Sequence, residues 1–181
     1  MSNGIKVIKR DGETTHLDLE KIHTMVEFAC EGLAGVSASQ VEINSGIQFY
    51  DGITTEEIQQ ILIKSASDLI TLDNPNYQYV AARLLLYGLR KAVFGKDGWE
   101  KAHPSLHDHA KACVDKRLYD WVIYNKYSDE EWDKIDSWVD HERDHYFTYA
   151  GLRQVVDKYL VQDRSTGKVF ESPQFMYMMI A

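Results

Sequence analysis

The sequence predicts a mainly α-helical protein in which an N-terminal β-hairpin caps four helices, followed by a helical segment with a second short hairpin. Two β-prone runs, Ile5 to Arg10 and Glu13 to Leu17, flank Asp11-Gly12, the strongest short hairpin signal available. Beyond them, apolar residues recur at helical spacing, and most of these runs open on a capping residue. With 3 Pro and 11 Gly in 181 residues, and 44% hydrophobic content, the chain has the material for packed cores.

After the hairpin, Asp18 can cap a helix whose Ile22, Met25, Val26, Ala29 and Leu33 share a face and which ends before Gly35. Ser37 or Ser39 can cap the second, through Val41, Ile43, Ile47 and Phe49, with Asp51-Gly52 as its stop. Thr54-Thr55-Glu56-Glu57 reads as a capping box opening the third, with Ile58, Ile61, Leu62 and Leu69 on one face. Asn74-Pro75 opens the fourth, since proline is tolerated in a first turn, and Tyr77, Val80, Ala81 and Leu84 carry it to Gly95. Gly95-Lys96-Asp97-Gly98 marks the expected boundary between residues 1–95 and 96–181. The second part should hold a helix from Ser105 to Arg117, one capped by Ser128 with Glu131, and one through Leu152, Val155, Val156 and Tyr159. Tyr159 to Gln162 and Lys168 to Glu171 flank a turn from Asp163 to Gly167, and Ser172-Pro173 starts a last helix. That helix stops soon after it begins, so a truncated protein is expected, with Phe175, Met176 and Met179 short of cover.

Twenty Lys+Arg against 28 Asp+Glu leave a net charge of -8. Both signs are spread along the chain, with 9 basic and 14 acidic residues in 1–100 and 11 and 14 in 101–181. Duplex binding needs a basic face that displaces condensed counterions, so nucleic acid is not an expected partner. No apolar run approaches the ~18 residues of a membrane span, and the N-terminus lacks the apolar core of a signal peptide. A cytoplasmic protein without a membrane partner is expected. Cys30 and Cys113, far apart in periodic segments, read as reduced thiols and cannot build a four-cysteine zinc site.

Lys9 and Arg10 at the hairpin turn, with Lys21 near the start of the first helix, can bind a polyphosphate through charge-assisted hydrogen bonds beside the helix N-terminus at Thr54-Thr55. The plain alternative is a solvated basic turn, and no GxxxxGK[ST] loop is present. His141-Glu142-Arg143-Asp144-His145 spells HExxH, which on an α-helix sets two imidazoles on one face beside a carboxylate, as a zinc peptidase requires. Its surroundings are densely charged and offer no well-placed third ligand, so a solvated helix end is expected. His103, His107 and His109 with Asp108 are poorly spaced for a tetrahedral site and read as surface histidines, while Tyr77, Trp132 and Trp138 fall at helical periods and read as core. No metal ligands are assigned.

VIKRDGETTHLDLEKIH, DGITTEEIQQILIKSA and PNYQYVAARLLLYGLRK, in this order, resemble the ATP-cone at the N-terminus of ribonucleotide reductase large subunits. The resemblance runs on through HERDHYFTYAGL and KYLVQDRSTGKVFESPQF, and is to bacterial and phage class I reductases. It implies that residues 1–95 are a regulatory cone binding ATP or dATP with Mg, and that 96–181 begin the catalytic domain. By resemblance, Lys9, Arg10, Lys21 and Lys91 are phosphate-binding bases, and Thr55 is the hydroxyl at the helix N-terminus beside the phosphates. Val7, Ile22 and Ile58 correspond to walls around adenine, and Asp18 to the polar group at the base or sugar. Gln59 stands where many dATP-inhibited members carry Asp or His, and Thr15 where close relatives carry an acid, so strong inhibition by dATP is not expected. The implied partners are adenine nucleotides, the remainder of the large subunit and the small radical-generating subunit. The catalytic cysteines and radical-transfer tyrosines of the family lie beyond residue 181, so this chain alone should be inactive. The alternative is a free-standing cone fragment that docks on a reductase. A nucleotide-sensing repressor with a zinc ribbon would need four cysteines.

Overall fold

The computed structural model describes residues 4–95 and 103–181; of the expected boundary segment, Lys96, Asp97 and Gly98 lie outside them. Contacts divide the chain into two compact units, Met1–Leu86 with Phe147–Leu152, and Tyr87–Tyr146 with Arg153–Ala181. The architecture is mainly helical with a small N-terminal sheet, as the sequence predicts.

In the first unit, strands β1 (Lys6–Ile8) and β2 (Thr14–His16) pair antiparallel. The turn differs from the two-residue one read from Asp11-Gly12. Gly12 N donates to Lys9 O at 2.9 Å and Lys9 N to Glu13 O at 2.8 Å, so Arg10, Asp11 and Gly12 form a three-residue loop. Such a loop needs a left-handed residue at its end, and Gly12 supplies it with φ 85°. A short third strand, β3 (Ile53–Thr54), runs parallel to β1, giving the order β2-β1-β3. Asp51-Gly52 is therefore a docking corner as well as a helix stop: Asp51 Oδ1 accepts from Lys6 N at 2.8 Å, and Gly52 N donates to Lys6 O at 2.9 Å.

Helix α1 (Leu19–Cys30) buries Ile22, Val26 and Ala29, the predicted periodic face. Helix α2 (Ala38–Gly46) is shorter than expected and buries Val41 and Ser45, leaving Ile43 and Ile47 exposed. Helix α3 (Thr55–Asp68) buries Ile58, Leu62, Ile63, Ser65 and Ala66. Helix α4 (Tyr77–Phe94) belongs to the first unit up to Leu86. Polar ties fix that part: Tyr77 Oη donates to Gln40 Oε1 at 2.6 Å, Asn76 Nδ2 to Ala34 O at 2.8 Å, and Arg83 Nη1 to Glu31 O at 2.7 Å. The last contact supplies a cation to the carbonyl end of α1, whose final turn has no basic residue of its own.

In the second unit, α5 (Leu106–Asp115) packs against α6 (Trp121–Asn125) and α7 (Asp129–Asp136). Ser128 caps α7 as predicted, Ser105 is the cap of α5 rather than its first helical residue, and Asp120 caps the unpredicted α6. Helix α8 (Tyr149–Lys158), the hairpin β4 (Gln162–Asp163) and β5 (Lys168–Val169), and α9 (Pro173–Ile180) complete the chain, with the first four residues of α8 assigned to the first unit. The core cluster contains Leu106, Ala110, Trp132 and Phe175. Phe175 and Met176 are buried, contrary to the expected lack of cover, and the exposed apolar residues of α9 are Tyr177 and Ile180. Trp138 is exposed rather than core, with the Lys134 ammonium 5.8 Å from its ring centre.

The HExxH segment is a 3-10 helix, His141–Tyr146, and not a solvated α-helix end. Side chains three apart eclipse in that geometry, so His141 and Asp144 share a face, whereas the α-helical pairing of the two histidines is lost. Asp144 is buried, accepts from Gln174 Nε2 at 2.7 Å and lies 3.5 Å from Arg90 Nη2. Nor are the other histidines simple surface groups: His107 stacks on Trp132 at 5.4 Å, His109 packs on Phe175 at 4.8 Å, and His103 lies 3.9 Å from His141 between ring centres. Among the described residues, no group of three or more His, Cys, Asp or Glu could hold a metal ion. No helix is long and apolar enough to cross a membrane, again among the described residues.

Burial lowers the His109 pKa to about 4, with Lys116 adding to the effect, and lowers that of His141 to about 3, with His103 and Arg90 adding. The native state holds both neutral while the unfolded chain protonates them near pH 6.5, so their stabilisation is lost as pH falls from there toward the folded values. Asp144, raised by burial to about 6, acts in the opposite sense, its contribution being lost as pH rises from 3.8 through 6. His103, lowered by burial, adds to the histidine side, and Glu171, raised by burial, adds to the carboxyl side. Removing Asp144 deletes one contribution that favours the fold at low pH, so urea midpoints measured from pH 7 down to pH 4 should drop further in Asp144→Asn than in the unaltered chain.

Candidate functional site

Parallel pairing sets the geometry of the N-terminal sheet. Cα partners are Val7 with Ile53 and Ile8 with Thr54, so β1 and β3 leave the sheet at the same end. Beyond Ile8 come Lys9 and Arg10; beyond Thr54 comes the first turn of α3. A basic turn and the positive end of a 14-residue helix are thereby set side by side. The antiparallel β2 returns the chain to the opposite end, where Leu17 N donates to Ile5 O at 2.8 Å, and α1 starts there with Asp18 and Lys21. The strands hold only two or three residues, a span of about 10 Å at ~3.3 Å per residue. One extended ligand can therefore reach both ends.

The residues singled out from the sequence occupy distinct positions in this frame. Arg10 and Lys21 are exposed, and Lys9 is half-buried with its Nζ 2.7 Å from Glu13 Oε2. That hydrogen bond is the main cause holding the Lys9 ammonium above the usual lysine range. Asp18 is exposed and caps α1, its Oδ1 accepting from Lys21 N at 3.0 Å. Val7, Ile22 and Ile58 are 4%, 8% and 7% exposed, so they serve first as core, each with a small exposed remnant. Thr55 is the first residue of α3, half-buried, next to the capping Thr54. Gln59, one turn on, donates from Nε2 to Leu84 O at 2.7 Å and so ties α3 to α4. Lys91 lies on the part of α4 assigned to the second unit, its Nζ 5.7 Å from the centre of the Tyr87 ring.

The α3 N-terminus is built with care. Thr54 Oγ1 accepts from Glu57 N at 3.1 Å, and Glu57 Oε2 accepts from Thr54 N at 2.9 Å and Thr54 Oγ1 at 2.7 Å, the capping box expected from the sequence. Tyr50 Oη adds a hydrogen bond to Glu57 Oε1 at 2.8 Å. These bonds hold the Glu57 carboxyl below the usual range. Sequence reasoning missed the part played by Glu57 with Tyr50, and that of Glu13 on Lys9. The Glu13 pairing follows from the three-residue turn, which sets positions 9 and 13 opposite each other.

Residues 5–92, the span that holds this strand-turn-strand and the helices after it, match the ATP cone domain. Over all 181 residues the chain is 46% identical to the ribonucleoside-diphosphate reductase subunit alpha of Haemophilus influenzae and 46% identical to the ribonucleoside-diphosphate reductase 1 subunit alpha of Escherichia coli K12. It is also 43% identical over 178 residues to the corresponding subunit of Enterobacteria phage T4. In each case nearly the whole chain is covered, but only 23% of the relative, so this chain spans about a quarter of the length of the proteins it matches. Residues 5–92 thus match the ATP cone domain, and the whole chain is similar to the N-terminal region of bacterial and phage reductase alpha subunits.

Removing the Thr54 hydroxyl should release two of the capping-box bonds. Thr54→Ala is expected to lower stability by about 1 kcal/mol, read as a shift in the denaturant midpoint at unchanged slope.

Proposed function

We propose that this chain is the nucleotide-sensing N-terminal portion of a ribonucleoside-diphosphate reductase large subunit, binding ATP or dATP with Mg as an allosteric effector. The observation that carries the reading is the side-by-side placement of Lys9-Arg10 and the α3 N-terminus by the β1–β3 pairing, within a segment that matches the ATP cone. A triphosphate is recognised by such a set because cationic heads and a helix dipole both favour concentrated negative charge. The residues fit that ligand: Lys9 and Arg10 carry the charge, Thr55 adds a hydroxyl, and Lys21 approaches from the α1 end. Val7, Ile22 and Ile58 are assigned to the apolar wall for adenine and Asp18 to a polar contact with the base or sugar. In this reading the effector sets activity in a larger subunit that works with a radical-generating small subunit to make deoxyribonucleotides.

Calorimetry with Mg-ATP tests the binding. Saturable heat is expected from the folded chain, and Lys9→Ala combined with Arg10→Ala should weaken affinity by more than ~1 kcal/mol, since charge-assisted bonds are lost. Absence of binding at millimolar nucleotide, or an unchanged affinity in the double variant, would count against the site.

The chain on its own is proposed to be catalytically silent. Burial raises both Cys30 and Cys113 to about 11, so neither supplies a thiolate at neutral pH, and neither matches an active-site cysteine of the reductase family. Incubation with ribonucleoside diphosphate, small subunit and thiol reductant should yield no deoxynucleotide.

A further inference from the structure

Two carboxylates lie on the donor groups at the phosphate end of the first unit, and they are held very differently. Glu57 accepts from Thr54 N, Thr54 Oγ1 and Tyr50 Oη and is part of the fold of α3. Glu13 contributes its main chain to the hairpin: its carbonyl accepts from Lys9 N, and its N–H donates to Asp11 Oδ1 at 3.0 Å. The Glu13 side chain adds only the contact of Oε2 with Lys9 Nζ, at 2.7 Å, and is 61% exposed. The turn closes without that carboxylate. It is an anion resting on a cation that the proposed function assigns to phosphate.

We propose that Glu13 is an internal competitor for the effector: its carboxylate occupies the Lys9 ammonium in the nucleotide-free protein and is displaced by phosphate, so that this residue sets the nucleotide concentration at which the cone fills. The inference rests on the nucleotide-binding reading above and adds to it a residue that tunes affinity. A carboxylate oxygen and a phosphate oxygen both accept from an ammonium, so they contend for the same Nζ–H. Once displaced, Glu13 swings into water on an exposed side chain. Exposed ion pairs are weak, and the competition is worth about a 1.5- to fivefold change in affinity rather than a block.

A double-mutant cycle in the intact chain tests this, with Mg-ATP as the calorimetric probe and Glu13→Gln, Lys9→Ala and the combination as variants. Glu13→Gln should bind Mg-ATP about 1.5- to fivefold more tightly than the unaltered chain, and the gain should vanish in the Lys9→Ala background. A ligand-free readout accompanies it: the titration of the Lys9 Cε resonance should move to lower pH in Glu13→Gln. Unchanged or weaker binding by Glu13→Gln, a gain that persists without Lys9, or an unmoved Lys9 titration would each overturn the competitor role. If the unaltered chain binds Mg-ATP and Glu13→Gln gains nothing, the competitor falls while the nucleotide-binding reading stands. If the unaltered chain does not bind Mg-ATP, both fall.

Discussion

The parallel pairing of Ile53-Thr54 with Val7-Ile8 is the constraint on which the first unit depends. A parallel pair cannot be made by a tight turn and needs a long crossover, which α1 and α2 supply between β2 and β3. The pairing is short, so backbone ladder bonds alone hold it weakly. Asp51 and Gly52 extend it by exchanging hydrogen bonds with both the N–H and the C=O of Lys6, and Ile53 and Val7 bury their side chains beneath it. Every functional reading of the N-terminal residues follows from this corner, because it brings the α3 N-terminus beside the Lys9-Arg10 turn.

The polar residues of the first unit divide between those committed to the scaffold and those left exposed. Glu57, Gln59 and Arg83 all spend side-chain donors or acceptors inside the unit, on the α3 cap, on the Leu84 carbonyl and on the end of α1. Arg10 and Lys21 keep exposed side chains. Lys9 stands between the two groups, since its partner is a flexible exposed carboxylate rather than a buried one. In a chain with a net charge of -8, this turn is a local basic feature whose acid partner Glu13 is itself exposed.

The second unit rests on a different interaction. Phe94, His103, His109, His141 and Phe175 form a set of rings in mutual contact, and the histidines among them are held neutral by burial. Beside them, Asp144 receives Gln174 and faces Arg90, and Tyr119 donates to Glu171 at 2.6 Å while Glu171 also accepts from Val161 N. Both carboxylates thus accept from donors at least ten residues away in sequence, which is how such groups are tolerated in a core.

The sequence by itself determined the mainly helical class, the caps at Asp18, Thr54 and Ser128, the helix starts near Ser105 and Ser172, and the places of both hairpins, because caps and turns are decided by side chains within a few residues of the backbone groups they satisfy. The motifs at residues 7–22, 51–66 and 75–91 also carried the resemblance to the ATP cone, which the match over residues 5–92 bears out. Only the tertiary structure decided the features that join distant segments. Strand β3 is two residues long and has no periodicity to read, so only its partner reveals it. The HExxH segment looked solvated because its charges are dense, yet the 3-10 geometry turns His141 and Asp144 onto one face, where Gln174, 30 residues on, meets the carboxylate. The inward role of Gln59 likewise depends on a carbonyl 25 residues away. Local chemistry is written in neighbouring residues, whereas burial and partnership depend on which surfaces the folded chain brings together.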